Sequence, residues 1–158
     1  MKYTLLGLLL AGMSLFSTAS NAEIIIGVKA GPIDFDVPLA DTGTATSVQI
    51  GYEFLDLALV DVSAELELTN SATKVEINNQ EYGFSSKGIF AAARTIGPIY
   101  AIGRAGLISA EVDGSSDNGT AISVGLGFST GLRWEVEYTT YALDDSEDIK
   151  YISLGLHF

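Results

Sequence analysis

Cysteine is missing from this chain. A disulfide framework is therefore excluded, as are a lipidated cysteine and a thiolate nucleophile. Basic residues are scarce too. Eight Lys and Arg stand against twenty Asp and Glu, for a net charge of −12. Nucleic-acid phosphates need Lys and Arg, so a nucleic-acid partner is excluded. Histidine is reduced to one residue, His157. No apolar run reaches the roughly 18 residues that a membrane-spanning helix requires. If this chain crosses a bilayer, it must do so with strands closed into a barrel, because lipid offers backbone groups no partners.

The longest apolar run lies at the start. Lys2 precedes Leu5 to Phe16, about a dozen residues, within the 7–15 of a secretory signal core and short of a spanning helix. Ser20-Asn21-Ala22 supplies small residues for a peptidase, so cleavage is expected after Ala22. That divides the chain into a signal peptide, 1–22, and a mature domain, 23–158, of 158 − 22 = 136 residues. Loss of Lys2 takes the net charge from −12 to −13.

Period-two alternation is present nearly everywhere else. At the end of the chain Ile152, Leu154, Leu156 and Phe158 alternate with Tyr151, Ser153, Gly155 and His157, the mark of a strand with one apolar and one polar face. Ending on a strand residue requires a partner strand, since free termini fray. Further strands are expected over Glu23–Ala30, Ala45–Phe54, Leu57–Thr69, Tyr82–Arg94, Ile99–Val112, Thr120–Phe128 and Leu132–Tyr141. The third is the cleanest: Val60, Val62, Ala64, Leu66 and Leu68 alternate with Asp61, Ser63, Glu65 and Glu67. The fourth is ambiguous. Lys87 and Arg94 have opposite parity and cannot both face inward without a bulge.

Eight strands is an even number, and at about 9–13 residues each is near the 9–11 needed to cross hydrocarbon at a tilt. The links alternate: 31–44, 70–81, 113–119 and 144–148 are long, whereas those near Leu55-Asp56, Thr95–Pro98 and Ser129–Gly131 are short. Phe54, Phe128, Trp134 and Phe158 share the apolar face at the short-turn ends, forming an aromatic girdle with Leu156, Leu154 and Ile152 above it. The fold expected is all-β: an eight-stranded antiparallel up-and-down transmembrane β-barrel. Its inward face would carry Lys29, Glu53, Asp61, Glu65, Glu67, Arg104, Arg133, Glu135 and Glu137. Eight strands leave room only for side chains. Buried charges must be paired or hydrated, so Lys29, Arg104 and Arg133 should each touch a Glu.

Several segments resemble the small eight-stranded outer-membrane barrels, namely the opacity-type proteins and the transmembrane domain of outer membrane protein A. They are Gly27-Val28-Lys29-Ala30-Gly31, Gly51-Tyr52-Glu53, Ala64-Glu65-Leu66, Tyr100 to Gly106 and Glu137-Tyr138. The alternation ending in Phe158 is similar to the signature that outer-membrane assembly machinery reads. The resemblance covers the mature chain. It implies a monomer in a Gram-negative outer membrane, with both termini periplasmic and with outer-membrane lipid, lipopolysaccharide and the assembly machinery as partners. It implies no cofactor. No cell-wall-binding domain follows Phe158, so a tethering role is not carried over.

The role expected is non-enzymatic, structural or interactive at the cell surface. The acid excess inside motivates an alternative, a narrow cation-preferring pore. Another is an adhesin acting through loops rich in acid: Asp34, Asp36 and Asp41; Glu76 and Glu81; Asp113 and Asp117; Asp144, Asp145, Glu147 and Asp148. Those loops could also bridge lipopolysaccharide phosphates through divalent cations, although 144–148 lacks the spacing and glycine of a calcium loop, so no metal site is assigned. Certain barrels of this size modify lipid A with a relay resembling a His, a Ser and an acid. His157 lies at the opposite end from the outer leaflet, so no catalytic residue is assigned. Gly125 to Gly131 has the wrong spacing and setting for a nucleotide loop, and Asn118-Gly119-Thr120 is read as a turn. A soluble lipocalin-type barrel would show the same alternation with its faces reversed.

Overall fold

The computed structural model describes residues 23–36, 42–77, 80–144 and 147–158; the expected signal peptide lies outside the described residues. Among the described residues there are ten strands: β1 (Glu23–Phe35), β2 (Gly43–Leu57), β3 (Val60–Thr73), β4 (Val75–Ile77), β5 (Gln80–Tyr82), β6 (Phe84–Thr95), β7 (Ile99–Val112), β8 (Ser115–Ser129), β9 (Arg133–Leu143) and β10 (Ile149–His157). Eight of them close a barrel in the order β1-β10-β9-β8-β7-β6-β3-β2, while β4 and β5 form a separate hairpin. All neighbouring pairs are antiparallel.

Closure explains how the chain can stop on a strand. β10 pairs with both β9 and β1. Phe158 continues that ladder, its N–H donating to the Ile26 carbonyl at 2.8 Å and its carbonyl accepting from the Ile26 N–H at 3.1 Å. The last residue is therefore fully tied, and the sheet has no free edge. One lapse interrupts the β1–β10 seam. Pairing skips Gly31 and Pro32 and resumes at Ile33↔Tyr151 in the same register. Pro32 has no N–H to give, and a strand tolerates that only where a ladder bond can be spared.

The barrel strands run from 9 residues in β10 to 15 in β2 and β8, and several are longer than the alternation suggested. β1 continues through Ile33 and Phe35, which the sequence placed in a link. The link expected over 113–119 is a two-residue turn, because β8 starts at Ser115. Asp113 and Gly114 both have positive φ, 49° and 83°, the geometry of a type I′ hairpin, for which Asp-Gly is a favoured pair. The link over 70–81 is largely β3 followed by the β4–β5 hairpin. The first short turn falls at Ala58-Leu59 instead of Leu55-Asp56, after a bulge between Glu53 and Leu55. The asymmetry of the two barrel ends thus lies in strand overreach as much as in loop length. Part of the acidic link, 145–146, and all of 37–41 lie outside the described residues.

The lipid-type face is continuous. Ile24, Ile26, Val28, Val48, Ile50, Leu66, Leu68, Ile89, Leu107, Ile122, Val124, Leu126, Val136, Ile152 and Leu154 all point outward and are exposed. Phe128, Trp134 and Phe158 are exposed at the short-turn end of this band, with Phe128 and Trp134 directly paired and Trp134 opposite Leu156. Phe54 is half-buried at the same end of β2. Towards the long-loop end the outward residues turn polar, passing through Thr46, Asn70, Ser109, Asn118 and Thr140.

Candidate functional site

The interior is built in layers. At the short-turn mouth Arg133 reaches Glu53 and Glu23, each at 3.3 Å, and Asp61 lies beside them, part-exposed. Above the mouth comes a dense charge network. Arg94 bridges Glu65 at 2.6 Å and Glu135 at 2.8 Å. Arg104 bridges Glu65 and Glu67, both at 2.8 Å, and Glu137 at 3.4 Å. Lys29 bridges Glu67 at 2.8 Å and Glu137 at 2.7 Å. Every one of these seven side chains is at most 4 % exposed. Charges so deeply buried are tolerable only when each finds several opposite partners, and here every cation touches at least two carboxylates.

Hydroxyls complete the layer. Ser63 donates to Glu65 at 2.8 Å, Ser123 to Glu137 at 2.7 Å and Tyr100 to Glu135 at 2.9 Å. Tyr100 fits because Gly127 faces it: a Cβ at Gly127 would run into the tyrosine ring. His157 is 1 % exposed, with Nε2 3.1 Å from Glu135 Oε2. Ligand atoms of Glu135, Glu137 and His157 lie within 4.8 Å of one another. Arg94 and Lys29 already hold the two carboxylates, so this triplet is part of the ion network.

Above the charges the lumen becomes apolar. Ile33, Phe35, Val75, Phe84, Phe90, Ile108, Tyr141, Leu143, Ile149 and Tyr151 form one buried cluster. Two tyrosines mark the boundary. The Tyr141 hydroxyl donates down to Glu67 at 3.5 Å and that of Tyr151 to the Ala45 carbonyl at 3.3 Å, while their rings pack upward. Phe84 and Tyr141 rings meet at 5.4 Å. Phe90 lies under the Arg104 guanidinium, 4.3 Å from its carbon, where a desolvated cation–π contact contributes. Val75 of the β4–β5 hairpin is fully buried and caps the cluster from the loop side. Within the described residues the lumen is therefore filled twice, by salt bridges and by an apolar plug.

All nine residues expected on the inner face do lie on it, seven of them buried and Asp61 and Arg133 half-buried at the mouth. Lys29, Arg104 and Arg133 each touch a glutamate. Three contributors were not on that list. Arg94 faces inward and Lys87 outward, with no bulge between them in β6. His157 is buried inside the network, and Tyr100 is hydrogen-bonded into it. The apolar plug was missed altogether, since alternation was taken to keep one polarity along a whole strand.

A closed all-antiparallel eight-stranded barrel with an apolar outer band has the fold of the small outer-membrane barrels. Three solved structures illustrate the likeness. Neisserial surface protein A superposes with a TM-score of 0.61 at 14 % identity, over 87 % of this chain and 98 % of that one. The outer membrane enzyme PagL gives 0.58 at 14 % identity, over 85 % and 98 %. Ail, the attachment invasion locus protein of Yersinia pestis, gives 0.50 at 19 % identity, over 87 % and 97 %. No family's sequence profile matches the chain, and no curated protein sequence does.

Proposed function

We propose that this chain is a non-enzymatic, non-conducting integral protein of a Gram-negative outer membrane. Both termini face the periplasm, and the chain acts through the rim it raises above the lipid. The observation that carries this reading is the pairing of two features. The outward band is apolar and exposed around the whole circumference, and the lumen behind it is sealed by buried ion pairs and the Phe84–Tyr141 cluster. Water or lipid-facing charge fits neither arrangement.

The cation-pore alternative rested on the acid excess inside. Salt bridges to Lys29, Arg94 and Arg104 engage that acid, and the plug stands across the path. Planar-bilayer recording of the purified protein is expected to give no unitary conductance; regular cation-selective steps would overturn the reading. One neighbour is an enzyme. Here the single histidine is buried at the short-turn end beside Glu135, which supports a chain without a hydrolytic relay at the outer leaflet. A lipid A mass spectrum that changes on expression would contradict it.

The reading includes a surface-interaction role. Strands β7 and β8 and the β4–β5 hairpin stand above the apolar band and carry Glu76, Glu81, Glu111 and Asp113, all exposed. Deleting 144–148 and measuring cell attachment tests an adhesin role. Unchanged attachment leaves the structural role.

A further inference from the structure

We propose that the flank formed by β2, β3, β6 and β7 holds one phosphorylated glycolipid of the outer leaflet, with its phosphate on Lys87. The proposal rests on the membrane reading above and names a ligand within it. The outward face of this flank carries two adjoining hollows. The lower is a groove of about 610 Å³ walled by Val48, Ile50, Leu66, Leu68, Ile89 and Leu107. The upper is a polar hollow of about 270 Å³ bordered by Asn70, Ser85, Ser109, Glu111 and Ser116. Leu68, Lys87 and Ser109 border both. An apolar trough continuing into a hydroxyl-lined hollow, with a cation at the junction, is the shape and polarity of acyl chain, sugar and phosphate.

Lys87 sits where the outward face changes character. Its register partners are Leu68 on β3 and Ser109 on β7. The next outward row towards the lipid is Leu66, Ile89 and Leu107, and the next away from it is Asn70, Ser85 and Glu111. That places the ammonium at the level of lipid headgroups. Lys87 is also the one described Lys or Arg without a carboxylate partner. Lys29, Arg94, Arg104 and Arg133 are paired inside, Lys74 pairs with Glu81 at 3.9 Å and Lys150 with Asp36 at 2.9 Å. An ammonium free of any carboxylate at that level is complementary in charge to a phosphate. The serines and Asn70 suit sugar hydroxyls, and Glu111 can accept from one; a simple phospholipid offers little for these groups to bind. An adjoining groove of about 350 Å³, between Val28, Val48, Trp134 and Leu154, has no outward Lys or Arg in its lining.

The test is native mass spectrometry of the barrel released from mild detergent. It compares a diphosphorylated acylated glucosamine disaccharide, its dephosphorylated form, and phosphatidylglycerol. Wild-type protein is expected to retain the phosphorylated glycolipid. Lys87→Ala should retain it about tenfold less, in line with one charge-assisted hydrogen bond, and Lys87→Arg should restore it. Equal retention by wild type and Lys87→Ala would overturn the site, as would equal retention of phosphatidylglycerol, which marks an unspecific lipid annulus. Each protein is first run on a heat-shift gel. Barrels that shift but show no phosphate-dependent adduct remove the glycolipid site and leave the membrane reading standing. Wild-type protein that shows no shift removes both.

Discussion

Arg94 and Lys87 lie on opposite faces of β6, and neighbouring side chains decide which turns inward. Arg94 meets two carboxylates and a serine hydroxyl inside, whereas Lys87 is exposed on the outer face. The sequence could not choose, because Ile89 and Phe90, and then Ala91 and Ala92, put similar residues on both faces of this strand. Elsewhere one face carries charge and the other Leu, Ile or Val, and the inner residues were legible. Replacing Arg94 by Met leaves Glu65 and Glu135 short of a partner while buried. Breaking a buried pair in that way costs about 3–5 kcal/mol, to be read as a lowered urea midpoint for unfolding from lipid vesicles. Arg133→Met, at the wetter mouth, should cost well under half as much; equal losses would argue that the network is hydrated. At Gly127 a valine must displace Tyr100 from Glu135. It should destabilise the barrel by the same assay, and Tyr100→Phe in the same chain should relieve little of that loss, since the ring itself is in the way.

At the scale of the element, several strands change allegiance part-way. The lower half of β1 is apolar outside, with Ile24, Ile26 and Val28, and carries Lys29 within; its upper end hides Ile33 and Phe35. β6 hides Phe84 at one end and Arg94 at the other. A strand in lipid buries its polar face, and a strand in water buries its apolar one. The same alternation can serve both, provided the inner residues switch type at the interface. This switch made 31–44 look like a link: Pro32, Asp34 and Asp36 are outward or rim residues of a strand that has passed beyond the apolar outer band. The Asp113-Gly114 turn was likewise read as part of a longer loop, because the polar residues 115–119 belong to the same emergent portion of β8. Gly114 has a φ of 83°, so Gly114→Val should lower stability by about 1–3 kcal/mol, measurable by urea titration, with the barrel fold retained. In β10 the two faces separate cleanly. Leu154→Arg puts a charge in the band at about 2–4 kcal/mol and should block assembly, while Ser153→Thr should assemble normally. Equal assembly of both in an outer-membrane fractionation would refute the face assignment.

As a whole molecule the chain is a barrel whose polarity is reversed between its two halves. One half has a salt-bridge network inside and an apolar band outside, and the other has the Phe84–Tyr141 plug inside. The strand number, the closure and the membrane-half facing were legible because lipid imposes one polarity on every strand at once. The plug was not, because it has the facing of a water-soluble barrel and its residues alternate just as regularly. Deleting one of the plug's two tyrosine rings, by Tyr141→Ala, should cost about 3–5 kcal/mol in the same unfolding assay without opening the lumen to ions, since the charge network beneath it is intact. The central claim, an integral barrel closed by β1 and β10, is tested most directly by fractionating cells and running the membrane pellet on a heat-shift gel. The protein is expected to remain with the outer membrane after a urea wash, and to migrate faster before boiling than after. Recovery in the soluble fraction without detergent, with no shift on boiling, would contradict it.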